Sequence, residues 1–346
     1  MTNNDTPQTE TSLNRRKDKT ILRRLSKPLL VISSFLCFVL FFAYILQPDF
    51  CAAVTFWPIW IWAIPGMALS LAAIGVNKMA GLAVTFVWLL LVGFIAEEPL
   101  GLLRSCIYFE RDCNSACTGG NCLRVISLNC AGGNLNAAEE LYQYIPDIVL
   151  IQESPPLKDL KIFVEKLFTD GGEFVMEGDT AILARGRVTK TEVSNEHRLF
   201  MTGARVFLFS GLEIETFSVH LPPPVSGTNL FSSDCWQEHR DDRRMRLQKI
   251  AAIREHLGLI NDSVPLVVGG DFNASPWTQA AKILSPRLYD SFGQGGIGWP
   301  GTAPAHLPLW RVDQIWTSRH FKTVKVWSEN CKHSDHRIVI CDLCRL

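Results

Sequence analysis

The chain has 346 residues with 34 Lys/Arg against 34 Asp/Glu, so it carries no net charge. Residues 101–346 hold 26 Lys/Arg against 28 Asp/Glu, a slightly acidic balance that excludes a strongly basic, sequence-blind DNA binder. Lys78 is the only Lys or Arg between residues 29 and 96, whereas the remainder has the composition of an ordinary globular domain.

Residues 1–28 are polar, with Arg15, Arg16, Lys17, Lys19, Arg23, Arg24 and Lys27 gathered ahead of the apolar part. Without apolar periodicity at its start, this stretch is expected to be a disordered basic tail. Residues 29–46 run without a charge, long enough for one membrane span. Residues 51–76 form a second apolar run that contains Pro58 and Pro65, with Trp57, Trp60 and Trp62 suited to a membrane interface. Residues 79–96 form a third, closed by Glu97-Glu98-Pro99. The expectation is three transmembrane helices over 29–96. The basic tail places the N-terminus in the cytoplasm, and an odd number of spans puts everything from residue 97 on the outer, periplasmic face of the inner membrane.

Residues 97–122 read as a Cys-rich linker, with Cys113, Cys117 and Cys122 among Gly, Asn and Ser. Disulfides suit an oxidising compartment and would order a segment that has no core. Zinc is the rival reading for these cysteines, with Cys341-x-x-Cys344 as a further pair.

From residue 123 strands and helices alternate. Strands are predicted over 123–129 and 147–153, with helices over 136–144 and 158–168. Strands follow around Phe174 and over 181–184, 206–209 and 212–220. A long amphipathic helix covers 236–257, with Leu247, Ile250, Ala251 and Leu257 on one stripe. A buried strand over 265–271 comes next, then a short helix over 278–284 and three strands over 311–317, 322–328 and 336–343. Such a mixture predicts an α+β domain over 123–346, with two mixed sheets packed face to face and helices outside.

The strand ends carry the chemistry. Pro265-Leu266-Val267-Val268-Gly269-Gly270 is an apolar run that stops on Asp271-Phe272-Asn273. Alternation along an extended chain puts Asp271 and Asn273 on one side; an Asx turn closing the strand is the plainer reading. Other apolar strands also end on polar groups: Asn129, Glu153, His220, Asp313 and Asp335-His336. Burying any one of them unpaired is costly, so six such ends point to one shared site.

Taken in order, Leu128-Asn129, Ile151-Gln152-Glu153-Ser154, Ser218-Val219-His220-Leu221-Pro222, 269–273, Val312-Asp313-Gln314-Ile315-Trp316 and Ser334-Asp335-His336-Arg337 resemble the endonuclease/exonuclease/phosphatase superfamily. The three apolar runs ahead of it resemble a membrane-anchored bacterial group of that superfamily. The resemblance implies a four-layered α/β sandwich and a divalent-metal phosphodiesterase or phosphatase. It implies Glu153 as the principal metal-binding carboxylate, with Asn129 and Asp335 beside the metal. His336 then matches the catalytic histidine and Asp313 its orienting carboxylate, while Asp271 and Asn273 position water and phosphoryl oxygens. His220 matches a second histidine of the deoxyribonuclease and sphingomyelinase branches. The implied cofactor is Mg²⁺, with Mn²⁺ or Ca²⁺ as substitutes, because hard cations prefer oxygen ligands.

The sequence departs from the abasic-site nuclease branch at Gly178-Asp179-Thr180, where an acid stands in place of a basic strip. Arg205, His239, Arg240, Arg243 and Arg246 are candidate phosphate contacts, although four of them fall on one helix whose charges would equally suit a solvated face. The expected substrate is a phosphoester, either a phospholipid headgroup or nucleic acid, and the membrane bilayer is the other expected partner. A catalytically silent membrane scaffold that keeps the fold is the alternative, as is a Cys-cluster metal sensor.

Overall fold

The structure is a computed structural model and describes residues 8–74, 77–107, 122–194, 196–225, 227–276 and 279–346. The chain divides into two compact units, Met1–Ala96 and Glu97–Leu346.

The first unit is helical. Helix α1 spans Gln8–Leu46, so the basic stretch expected to be disordered is helical from residue 8. Arg, Lys and Leu are good helix formers, and nothing breaks the run before Pro28, which the helix accommodates. The second apolar run is not one straight rod. Pro58, which lacks an N–H and restrains its predecessor, separates α2 (Ala52–Thr55) from α3 (Ile59–Ile74). The segment Asp49–Thr55 meets α3 at 76°. Helix α4 covers Lys78–Ile95. Ser26–Leu46 and Lys78–Ile95 are long and apolar enough to cross a membrane, and the bent pair makes a third if it acts as one span. The helices touch at Gly66, where a Cβ would stand 2.1 Å from the Trp88 ring. There Ser33 Oγ donates to the Gly66 carbonyl at 2.7 Å and accepts from Trp88 Nε1 at 3.0 Å.

The second unit opens with α5 (Glu98–Ile107), which occupies the start of the expected linker. Arg104 donates to the Phe292 and Gly293 carbonyls, and Gly101 lies against the Gly298 carbonyl. Buried Arg311 grips Glu97 and Asp290 together, with its Nε on Glu97 Oε2 at 2.6 Å and its Nη1 on Asp290 Oδ1 at 2.9 Å. Burial pushes the Glu97 carboxyl up to about 7 against the pull of Arg311. Cys113 and Cys117 lie outside the described residues.

Two six-stranded mixed sheets follow. One has the order β11 (Phe321–Glu329), β12 (Ile338–Arg345), β1 (Cys122–Asn129), β2 (Ile148–Gln152), β4 (Thr180–Ala184), β3 (Glu173–Glu177). The other runs β5 (Gly186–Thr191), β6 (Met201–Leu208), β7 (Glu213–His220), β8 (Leu266–Asp271), β10 (Asp313–Thr317), β9 (Tyr289–Asp290). Between them Val125, Ile148, Leu150 and Ile182 meet Ala204, Val206, Ile214, Val267 and Ile315. The helices Leu135–Glu139 and Leu157–Leu167 cover the outer face of the first sheet, and Ser233–Gly258 covers the second. The expected α+β class, two packed mixed sheets flanked by helices, is what the chain adopts. Strands β5 and β9 and the helix Ser291–Gly295 were not anticipated; β5 is largely exposed and polar, and the other two are only two and five residues long.

No disulfide joins any of the described cysteines. Cys341 and Cys344 sit three apart on β12, so alternation sends them to opposite faces, and they cannot share a zinc ion.

Candidate active site

Parity along the strands decides which side chains enter the space between the sheets. On β1, Leu123 and Val125 lie in the inter-sheet core, and Asn129 continues that line. On β7 the same line runs from Ile214 to His220, on β8 from Val267 to Asp271, and on β10 from Ile315 back to Asp313. The register brings these ends to one edge. Asn129 lies opposite Gln152 in the parallel β1–β2 pair, and Asp271 is flanked by His220 and Asp313. Toward that edge the core turns polar through Ser127, Gln152, Thr180, Thr202 and Ser218, each of them hydrogen-bonded.

Glu153 breaks parity. Val149 and Ile151 face the outer helices, and an extended Glu153 would follow them. Its φ of +46° turns it back, a left-handed conformation that a non-glycine residue adopts at a cost and that concentrates at functional sites. The carboxylate then meets Asn129 Nδ2 at 3.0 Å and the Gly132 N–H. Asn273, at φ +47°, also leaves the extended form. It reaches Asp271 through an Asx turn, with its N–H on Asp271 Oδ1 at 2.8 Å and its Nδ2 on Oδ2 at 3.1 Å. The two do converge, but the turn brings them together rather than strand alternation.

Asp271 is the hub. Buried to 1 % exposure, its Oδ2 accepts from Asn129 Nδ2 at 3.2 Å and lies 3.8 Å from His336 Nε2 and 3.9 Å from His220 Nε2. Each imidazole has its own carboxylate behind it. His336 Nδ1 is 2.9 Å from Asp313 Oδ2, and His220 Nδ1 is 2.6 Å from Asp179 Oδ2. The donor atoms of Asp271, Asp313 and His336 lie within 4.8 Å of one another. Asp313 Oδ1 is buried without a hydrogen-bond partner.

The electrostatics follow from this crowding. Burial pushes the Asp271 carboxyl up to about 6, helped by Asp313 and opposed by the two histidines. Burial works against a charged His336, but Asp313, Asp271 and Asp335 overcome it and lift the ring to about 10. His220 is likewise held above the usual imidazole value: burial opposes its charge, and the Asp179 hydrogen bond, Asp271 and Glu153 outweigh it.

Asn129, Glu153, His220, Asp271, Asn273, Asp313 and His336 thus gather at one edge. Asp335 is exposed beside His336, and its backbone carbonyl accepts from Ala305 N–H at 2.6 Å. The loop carrying Asp335 and His336 is pinned by Glu140, which accepts from the Lys332 and His333 N–H groups and contacts the His333 ring, and by Ser334 Oγ on the Asn129 carbonyl. Nothing in the sequence marks Asp179 or Glu140 as part of the site. In sequence the acid at Asp179 is only a departure from a basic strip; its pairing with His220 arises because antiparallel β4 starts where β2 ends.

Several expected phosphate contacts are occupied otherwise. Arg205 pairs with Glu215 at 3.1 Å. Buried Arg246 pairs with Asp242 and donates to the Asn273 carbonyl, and His239 is buried against the Gly227 carbonyl at 2.7 Å.

Residues 126–336 match the family model described as Endonuclease/Exonuclease/phosphatase family. No curated protein matches the chain. Among solved structures, an endonuclease/exonuclease/phosphatase from Bacteroides vulgatus is 14% identical with a TM-score of 0.51, covering 65% of this chain and 99% of that one. A mannosyl-6-phosphatase from Bacteroides thetaiotaomicron is 18% identical with a TM-score of 0.47, over 64% of this chain and 99% of its own. The TDP2 of D. rerio, solved with a single-strand DNA product, is 19% identical with a TM-score of 0.46, over 64% and 98%.

Proposed function

The chain belongs to the endonuclease/exonuclease/phosphatase family, and from that premise we propose that it is a divalent-metal-dependent phosphoesterase, anchored in a membrane, that hydrolyses a phosphoester by in-line attack of water. One observation carries this reading: two carboxylate–imidazole pairs, Asp313–His336 and Asp179–His220, face each other across buried Asp271, with Asn129 and Glu153 alongside. A silent scaffold would have no reason to hold this set together against its electrostatic cost.

The site suits a hard cation. Its donors are carboxylate oxygens, one of them the orphaned Asp313 Oδ1, and the two imidazoles do not balance five acids, namely Glu153, Asp179, Asp271, Asp313 and Asp335. Glu153, with Asn129 and Asp335, would hold Mg²⁺, or Mn²⁺ or Ca²⁺ in its place. When bound, the ion supplies positive charge to the phosphoryl oxygens.

The chain's own residues do the rest. Asp271, with its carboxyl lifted to about 6, is tuned to accept a proton from water near neutral pH, and Asn273 and Arg246 hold its turn in place. Asp313 fixes the His336 ring with Nδ1 inward and Nε2 toward Asp271. It also keeps that ring charged, so His336 stabilises the phosphoryl oxygens as negative charge develops. His220, positioned by Asp179, faces the leaving oxygen. Asp271 and His336 are tightly coupled, burial raising the carboxyl and the neighbouring acids raising the ring, so they act on the water and the phosphoryl group as one pair. The substrate is a phospholipid headgroup or nucleic acid. The helices of residues 29–96 form three spans, and the catalytic unit stands on the outer face.

The test is turnover of bis-p-nitrophenyl phosphate, plasmid DNA and sphingomyelin by the full chain in detergent, with Mg²⁺ and with chelator. Chelator-sensitive turnover of one class, abolished in Glu153→Ala and Asp271→Asn, is the expected result. No turnover of any substrate by folded, metal-loaded protein would sink the reading.

A further inference from the structure

A cavity lies at the far end of the strands that carry the candidate active site. Strand β8 runs from Leu266 to Asp271, and β10 runs back from Asp313 to Thr317. Six residues of strand put the two ends of β8 about 17 Å apart. Leu266 and Ser318, at the end away from Asp271, line a cavity of about 420 Å³. Its wall includes Arg254, Arg287, Arg319 and His320, and the single lining carboxylate is Asp262.

Two of these charges, Arg254 and Arg319, are not used up by the fold. Among the described residues neither Arg254 nor Arg319 forms an ion pair, and both are exposed. Arg287 binds Asp262 and the Ile260 carbonyl through its terminal nitrogens, but its Nε is buried without a hydrogen-bond partner. Asp262 is 73% exposed, so water screens its compensation. Burial, then Arg345 and Arg319, push the His320 ring below the usual imidazole value, with Asp262 opposing and Arg287 adding a smaller push.

We propose that this cavity binds an organic phosphate, with its oxyanion held by Arg254 and Arg319 and its organic part set against Tyr289. Guanidinium groups present fixed donor forks that match phosphate oxygens and stay charged at any working pH. The volume falls within the range of small-molecule sites and exceeds what bare phosphate fills. Ser285 offers a hydroxyl, and Tyr289, 39% exposed, offers a ring face. The site is separate from the proposed chemistry and does not depend on it.

The test is a fluorescence titration of the full chain, in phosphatidylcholine nanodiscs with chelator, using trinitrophenyl-AMP as the probe. Chelator keeps the metal-dependent edge out of the measurement. Saturable binding that weakens at least tenfold in Arg254→Gln/Arg319→Gln, and again in Ser285→Asp, is expected. The substituted residues are exposed, and circular dichroism checks that the fold persists. Competition by AMP above that by dihexanoyl phosphatidylglycerol identifies a soluble ligand, and the reverse order identifies a lipid headgroup. Equal displacement by inorganic phosphate alone would overturn the organic part of the proposal. Absence of saturable binding, or binding unchanged in both variants, would overturn the site.

Discussion

At the scale of single residues the chemistry rests on how each imidazole is backed. Asp179 accepts from one ring nitrogen of His220 at 2.6 Å and leaves the other facing Asp271. Asp179→Asn removes the charge but keeps the shape, so the His220 pKa should fall toward its free value, and turnover should drop by roughly 10²-fold. Histidine ring NMR reads the first effect and a kinetic assay the second; an unmoved His220 resonance would remove Asp179 from the site. His336 gives a matching statement about stability. Its ring rises from 6.5 when unfolded to about 10 when folded, so it contributes stability in full below pH 6.5 and loses it as the pH climbs through 10. In chelator, the melting temperature of the wild type should therefore fall more steeply over that window than that of His336→Gln. Parallel curves would mean that His336 is not held charged.

At the scale of elements, strand ends and the pieces that brace them decide the geometry. Gly270 sits at φ +138°, and a Cβ there would stand 2.0 Å from the Val219 carbonyl oxygen. Only glycine lets β8 approach β7 closely enough to set Asp271 beside His220. The helix α5 is braced at Arg311, two residues before Asp313. Arg311→Met should strand Glu97 and Asp290 as part-buried carboxylates at a cost of about 2–3 kcal/mol, read as a lower denaturation midpoint. A loss under 1 kcal/mol would show that α5 is not held by that residue. Twelve strands were partly legible: those with long apolar runs were located within a few residues, whereas β5 carried Arg187, Thr189, Lys190 and Thr191 and gave no apolar signal. Amphipathic periodicity located the Ser233–Gly258 helix, but it could not tell that Arg246 is committed to Asp242 and the Asn273 carbonyl.

At the scale of the whole molecule, the proposed anchoring turns on the number of crossings, which decides on which face residues 97–346 would lie. If the bent pair Asp49–Thr55 and Ile59–Ile74 completes a span, three crossings put Leu346 on the face opposite the basic N-terminus. If it re-enters the same face, two crossings return Leu346 to the cytoplasm. Alkaline phosphatase fused after Leu346 should be active, and a green fluorescent protein fused there should be dark; the opposite pattern would place the catalytic unit inside. The described cysteines, none of them in a disulfide, do not decide between the two.

The sequence by itself determined what short-range patterning can encode. Apolar length marked the helices of the first unit, alternation and glycine punctuation marked the strands, and an ordered set of strand-end acids, amides and histidines marked the family and pointed to the candidate site. The tertiary structure alone decided what depends on partners distant in the chain. It set Asp179 behind His220 and Glu140 behind the His336 loop. It turned Glu153 out of strand parity. It also gathered Arg254, Arg287 and Arg319 around one cavity. Those outcomes depend on register and on the crossing of two sheets, which no local pattern specifies, because a side chain's charge and proton affinity are set by neighbours that the chain reaches only when it is folded.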